Sequence, residues 1–245
     1  MNICITGASK GIGKALSEQL IARGHTVWGV SRSEDILRGM SQTLPATLWR
    51  ASVVDVRDAS AIARWADDVD HTNFQPDCIV LNASVQQNDL LDTYDHHAGD
   101  ENLRVNLGGA LACVGAFQPL FHKRGIGRFV AIASTVALRP SMRSASYAAS
   151  KAGIVMAFRT LRLRYAPEGI RFSLAILGPI ATEMWEGKTH WLVPAPKKAA
   201  TALASFITSG GETLYYPFLS TAMLRCSRRL SDGLFAAISA KILKS

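Results

Sequence analysis

The chain has four cysteines and no two of them form a C-x-x-C pair. That spacing excludes a disulfide framework or zinc ribbon, and reads Cys4, Cys78, Cys113 and Cys226 as small core residues in a reducing compartment. Histidines are also few, and the one adjacent pair, His96 and His97, lies in an acidic polar stretch without zinc-ligand spacing, so no metal site is expected. Long apolar runs are missing. The longest uncharged stretch, Val105 to His122, is broken by Asn106, Gly108, Gly109, Gln118 and Pro119, which fits a buried helix and not a transmembrane segment. A basic leader with a cleavage site, low-complexity tracts, linkers and solenoid-period repeats are lacking too. The expectation is one cytoplasmic domain over residues 1–245.

Acidic residues are scarce in the second half. Residues 1–122 hold 9 Lys/Arg against 14 Asp/Glu, and residues 123–245 hold 18 against 5, within an overall net charge of +8. This asymmetry fits an anionic partner or an exposed basic surface around a phosphate-bearing ligand. No aromatic and basic interleaving accompanies it, so nucleic acid is not an expected partner.

What the chain does have is a series of apolar runs with helix-like segments between them. The runs are Asn2 to Thr6, Thr26 to Ser31, Thr47 to Val54, Asp77 to Asn82, Arg128 to Ala133, Arg171 to Leu177 and Thr213 to Phe218. The segments between include Ile12 to Arg23, stopped by Gly24, and Ser60 to Val69, entered through Asp58. Apolar strands alternating with helices predict an α/β fold: a doubly wound, parallel, seven-stranded sheet with helices on both faces. Such sheets bind ligands at the carboxyl ends of their strands.

At the first of those ends stands TGASKGIG, Thr6 to Gly13. Gly7 permits a tight turn, Gly11 lets backbone N–H groups approach a pyrophosphate, and Gly13 lets the helix sit close to the strand. The same residues spell G-x-S-x-G, with Ser9 as a hydrolase nucleophile. That reading suits a first strand poorly, because the oxyanion hole needs an earlier loop. A second anchor is Tyr147 with Lys151, whose spacing puts a phenol and an ammonium on one helix face. An adjacent cation lowers the phenol's pKa toward the working range for proton transfer to a carbonyl oxygen. Ser134, closing the fifth strand, places a hydroxyl on the same sheet edge.

These motifs in this order resemble the short-chain dehydrogenases/reductases, from Asn2 to about Thr182. The resemblance implies a Rossmann-type fold and hydride transfer between a nicotinamide and a carbonyl or alcohol substrate. Asn106, Ser134, Tyr147 and Lys151 match the family's catalytic tetrad: relay asparagine, substrate-orienting serine, general acid/base, and a lysine that lowers the tyrosine's pKa and holds the ribose. Gly7, Ser9, Lys10, Gly11, Ile12 and Gly13 match the cofactor loop, and Asp55 with Val56 match the pair at the adenine. Asn82 and Ala83 resemble the family's NNAG element, with Leu81 and Ser84 in place of its first Asn and its Gly. Gly178, Pro179, Ile180 and Thr182 resemble the element that holds the carboxamide; Tyr147 and Lys151 also touch cofactor.

Cofactor choice is read from charge. Ser31 and Arg32 stand where an NAD site has its acid, and Lys10 adds a second cation, so NADP(H) is expected over NAD(H). Residues 183–245 are read as the substrate loop and C-terminal elements; Glu183 to Pro196, with Trp185 and Trp191, fits a cover over an apolar substrate or equally an interface loop. Arg225, Arg228, Arg229, Lys241 and Lys244 among Leu, Phe and Ile fit core or subunit packing, or helices resting peripherally on a membrane. The resemblance implies a homodimer or homotetramer through the apolar helix Val105 to Phe117 and the helix of Tyr147. A reductase of carrier-bound 3-oxoacyl chains and a non-catalytic NADP-sensing regulator are the alternatives.

Overall fold

The computed structural model describes residues 1–72, 74–140, 144–183 and 193–242. Seven parallel strands form one sheet in the order β3-β2-β1-β4-β5-β6-β7. They are β1 (Asn2–Thr6), β2 (Thr26–Ser31), β3 (Trp49–Val53), β4 (Cys78–Leu81), β5 (Gly127–Ser134), β6 (Ile170–Leu177) and β7 (Thr213–Tyr216). The connecting helices are α1 (Gly11–Ala22), α2 (Glu34–Thr43), α3 (Ala59–His71), α4 (His96–Leu103), α5 (Ala110–Arg124), α6 (Ala145–Tyr165), α7 (Pro196–Ser209), α8 (Phe218–Ser227) and α9 (Asp232–Ile242). Strand order reverses between β1 and β4, which opens a crevice at their carboxyl ends.

The apolar runs become strands because both sheet faces are covered. Along β5, Phe129, Ala131 and Ala133 enter one core with Trp65, Phe117, Phe158 and Phe172. Val130 and Ile132 enter the other with Leu16, Leu20, Leu203 and Phe206. This alternation is the period of two that a pleated strand imposes, and each large side chain so buried stabilises the fold by about 1.5–3 kcal/mol.

Helix ends follow their signals. Asp58 accepts from the N–H groups of Ser60 and Ala61 at 2.8 and 3.1 Å to start α3. Gly24, at φ +79°, ends the α1 segment. Three strands are shorter than expected, β4 by Asp77 and Asn82 at its two ends. Before β3, the N–H groups of Leu48 and Trp49 both bond back to Pro45 O at 2.9 Å, so Thr47 and Leu48 belong to a turn. The last strand stops at Tyr216 because Pro217 has no N–H for the ladder, and Phe218 opens α8. The expected helix from Val105 begins inside a π-helical turn, Arg104–Gly109, that joins α4 to α5. Among the described residues no helix is long and apolar enough to cross a membrane.

Candidate active site

The crevice at the carboxyl ends of the strands is a cleft of about 860 Å³. Its first wall is the turn between β1 and α1. Gly7 and Gly11 hold φ of +68° and +52°, open to glycine at little cost. A Cβ on Gly13 would lie 2.1 Å from Gly7 O, so helix and turn meet at a distance only glycine allows. Lys10, in the N-cap position, gives α1 no side-chain cap, and no acid lies in its first turn. The turn is clamped from β4: Asn82 Nδ2 donates to Thr6 O and Gly7 O at 3.0 and 3.1 Å, and Thr6 Oγ1 accepts from the N–H groups of Asn82 and Ala83 at 3.0 Å each. A close-approach turn with uncapped helical N–H groups in a cleft of this size fits the pyrophosphate of a dinucleotide.

The far wall carries titratable groups. Ser134 ends β5, and Tyr147 and Lys151 lie in the first two turns of α6, all three lining the cleft. Lys151 Nζ is buried, donates to Ile132 O at 3.2 Å and lies 5.6 Å from the Tyr147 ring centroid. Burial pushes the Lys151 ammonium down to about 8. Burial also raises Tyr147 above the ordinary tyrosine value, against lowering by hydrogen bonds with the Ser134 and Ser84 hydroxyls. The rise runs opposite to the lowering expected from Lys151: in a dry site the loss of hydration around the phenolate outweighs the two hydroxyl hydrogen bonds.

Asn106 is buried in the π-helical turn and does not line the cleft. Its Oδ1 accepts from Val85 N at 2.8 Å and Ser84 Oγ at 3.0 Å, while its Nδ2 donates to Val85 O at 2.9 Å and Ser150 Oγ at 3.1 Å. One turn earlier, Asn102 bonds both backbone groups of Gln87 and donates to Ser146 Oγ at 2.8 Å. Asp89, fully buried, then accepts from the N–H groups of Ala145 and Ser146 at 2.8 Å each and from the Ser146 hydroxyl. Segment 84–89 thus fastens the start of α6, and with it Tyr147, to the π-helical turn.

At the end of the cleft beyond β2 and β3, Arg32 lies 3.9 Å from Glu101. Asp55 is gripped by Arg57, whose Nε reaches both carboxylate oxygens at 3.0–3.1 Å and whose other arm reaches Glu101 at 3.1 Å. Hydrogen bonding from Arg57 holds the Asp55 carboxyl below its usual range. Ser31 is buried and accepts from Ser33 N at 3.0 Å. Lys10 pairs with Glu183 at 3.7 Å.

Of the sequence-predicted residues, Gly7, Ser9, Lys10, Gly11, Ile12, Ser31, Arg32, Asp55, Val56, Asn82, Ala83, Ser134, Tyr147, Lys151, Pro179, Ile180 and Thr182 all line the cleft. Gly13 and Asn106 stand behind it. Trp185 and Trp191 lie outside the described residues. Sequence reasoning missed the clamp of Thr6, the Arg57–Glu101 pair and the anchor of Asn102 and Asp89. It also missed Leu224 and Phe235, which bring α8 and α9 into the cleft wall. Only the serine standing for glycine at Ser84 left a trace in the sequence. Arg139 fixes that wall: it is buried, donates to Leu230 O and Ser231 O at 3.2 and 3.3 Å, and stacks on Phe235 at 4.2 Å.

The sequence pattern of the short chain dehydrogenases matches residues 1–193. The 3-oxoacyl-acyl-carrier-protein reductase FabG of Salmonella typhimurium is 29% identical over 180 residues, which are 74% of this chain and 73% of that protein. The short-chain reductase protein NovJ of Streptomyces niveus is 31% identical over 182 residues, 74% of this chain and 69% of its own. Among solved structures, an alcohol dehydrogenase from Thermococcus sibiricus, complexed with 5-hydroxy-NADP, shares the fold. Its TM-score is 0.77 at 22% identity, over 88% of this chain and 94% of that one.

Proposed function

Since the chain belongs to the short chain dehydrogenase family, and is an NAD(P)-dependent oxidoreductase acting on alcohol and carbonyl groups, we propose that it uses NADP(H), with Tyr147 as its general acid/base. The observation that carries this reading is the convergence of Ser134, Tyr147 and Lys151 on the cleft that the glycine turn opens. When bound, the nicotinamide supplies or accepts the hydride. The glycine turn and the α1 N-terminus would hold its pyrophosphate, Asp55 and Val56 its adenine end, Lys151 its ribose, and Pro179, Ile180 and Thr182 its carboxamide end. Ser134 orients the substrate oxygen. Tyr147 gives that oxygen a proton in reduction and takes it back in oxidation, and Asn106 keeps the loop beside the phenol in place.

Arg32 and Lys10 support NADP(H) because both cations line the cleft where an NAD site carries an acid. Their partners Glu101 and Glu183 are held through partly exposed pairs, a kind worth at most about 1 kcal/mol, so a 2′-phosphate can take them over. Residues 1–245 act as one domain in which 183–245 complete the substrate side; Leu224 and Phe235 give that side apolar character. The buried free Cys4, Cys78 and Cys113 support a cytoplasmic setting. Exposed Leu111 on α5 and Met156 and Leu163 on α6 support a homo-oligomer.

The test is cofactor consumption over ketones, aldehydes, quinones and acyl thioesters, with NADPH and NADH in parallel. Turnover with NADPH should exceed that with NADH and vanish in Tyr147→Phe while the variant still binds cofactor. Turnover retained in Tyr147→Phe overturns the acid/base assignment. The likeness to FabG and the basic second half favour a second reading, a reductase of carrier-bound acyl chains. It requires that activity on acyl thioesters fall with added salt.

A further inference from the structure

Ser84 follows the clamped pair Asn82 and Ala83, and its side chain lies between the two groups that the acid/base reading needs fixed. Toward the helix side, its Oγ is 3.0 Å from Asn106 Oδ1. The carboxamide cannot turn to offer its nitrogen instead, because its Oδ1 also accepts from Val85 N while its Nδ2 is spent on Val85 O and Ser150 Oγ. The single hydroxyl proton of Ser84 therefore points at Asn106, which leaves an oxygen lone pair on the other side. There Ser84 lines the cleft and, like Ser134, hydrogen-bonds the Tyr147 hydroxyl.

Resting on the reading of Tyr147 as acid/base, we propose that Ser84 is a positioning residue for proton transfer, its hydroxyl tying the Asn106 carboxamide to the Tyr147 phenol. While Tyr147 is protonated, Ser84 accepts from it and donates to Asn106. When Tyr147 has given up its proton, the Ser84 hydroxyl turns and donates to the phenolate, and Asn106 Oδ1 keeps its bond from Val85 N. Ionisation gives up two neutral hydrogen bonds, Tyr147 to Ser84 and Ser84 to Asn106, for a charge-assisted one; the first is replaceable, since the Tyr147 proton can go to Ser134 instead, so Ser84 favours the ionised tyrosine. A glycine at this position leaves the phenolate without that donor.

The experiment uses the cofactor-free protein, in which the titration of Tyr147 is read as ultraviolet phenolate absorbance after subtracting Tyr147→Phe. Ser84→Ala and Ser84→Gly should each raise the Tyr147 pKa by about one unit, and Ser84→Thr, which restores a hydroxyl, should return it. In alcohol oxidation near neutral pH, kcat of Ser84→Ala should fall about tenfold and recover at high pH, with KM little changed. A Tyr147 titration unchanged in either folded variant overturns the proposal. Because the titration needs no turnover, it decides on Ser84 even if Tyr147→Phe proves active.

Discussion

Lys151 meets two opposed demands. In the proposed chemistry its ammonium is charged beside Tyr147, yet its side chain is buried, and burial brings its pKa down to about 8. Below pH 8 folded and unfolded chains both hold the proton, so the folded state bears the whole cost of the buried cation, about 3 kcal/mol at 1.36 kcal/mol per pKa unit. Between pH 8 and the ordinary lysine value the unfolded chain binds more protons, and stability rises with pH. Lys151→Met should therefore stabilise the cofactor-free protein by about 1–3 kcal/mol at pH 7 while abolishing activity. Thermal unfolding at pH 7 and pH 10 checks it, since the gap between variant and parent must shrink at the higher pH. Tyr147 and Lys151 were legible as a pair because a spacing of four has one meaning on a helix. The direction of Tyr147's shift was not, because dryness depends on what the fold packs around the phenol.

Elements place these groups through contacts that no local motif encodes. Helix α6 begins where Asp89 accepts from Ala145 N and Ser146 N, just before Tyr147. Burial raises the Asp89 carboxyl, but hydrogen bonds from Ser146 and Ala145 outweigh it and hold the group below its ordinary range. A depressed carboxyl contributes stability above its unfolded pKa and loses it as pH falls through the folded value, so this anchor fails only in acid, below about pH 4. Asp89→Asn should cost about 1–3 kcal/mol at pH 7, because one of the two N–H groups loses its acceptor. A melting temperature within a degree of the parent's would refute this; the strain should instead appear as a drop of several degrees. Strands were readable because apolar runs buried on both sheet faces leave a continuous signature. Segment 84–89 was not: its partners Asn102 and Asn106 lie 15 or more residues away, and its polar residues resemble those of any exposed loop.

The whole molecule is held to its C-terminal part by a buried cation. Arg128, on β5, is 2% exposed and donates to Ile207 O and Gly211 O at 2.6 and 2.5 Å, and to Ser173 Oγ at 3.0 Å. Its guanidinium lies over Phe206 at 5.1 Å. It thus answers the open carbonyls at the end of α7, where a positive charge also suits the helix dipole. Arg128→Ala should lower stability by about 2–4 kcal/mol, read as a lower urea midpoint, since several buried carbonyls lose their donor at once. The family's sequence pattern ends at residue 193, so the chain beyond it had only apolar periodicity to be read from. That sufficed for β7, while the closing of α8 and α9 over the cleft depends on Arg139, whose backbone partners lie some ninety residues on.

The π-helical turn at Arg104–Gly109 bears on which changes of length the gene can tolerate. Its wider loop holds a residue more than an α-helical turn would. Excising that extra residue would let α4 and α5 fuse into a continuous α-helix facing nearly as before, because the π turn uses its six residues to cover about the rotation that one residue fewer covers in an α-helix. Asn102 would still face Gln87 and Ser146, and Glu101 Arg57, whereas the same loss within α5, which has no residue to spare, would turn everything before it by about 100°. A single in-frame codon loss is then absorbed at the π turn much as in an exposed connecting loop, and disrupts the fold in the regular helix just beyond it.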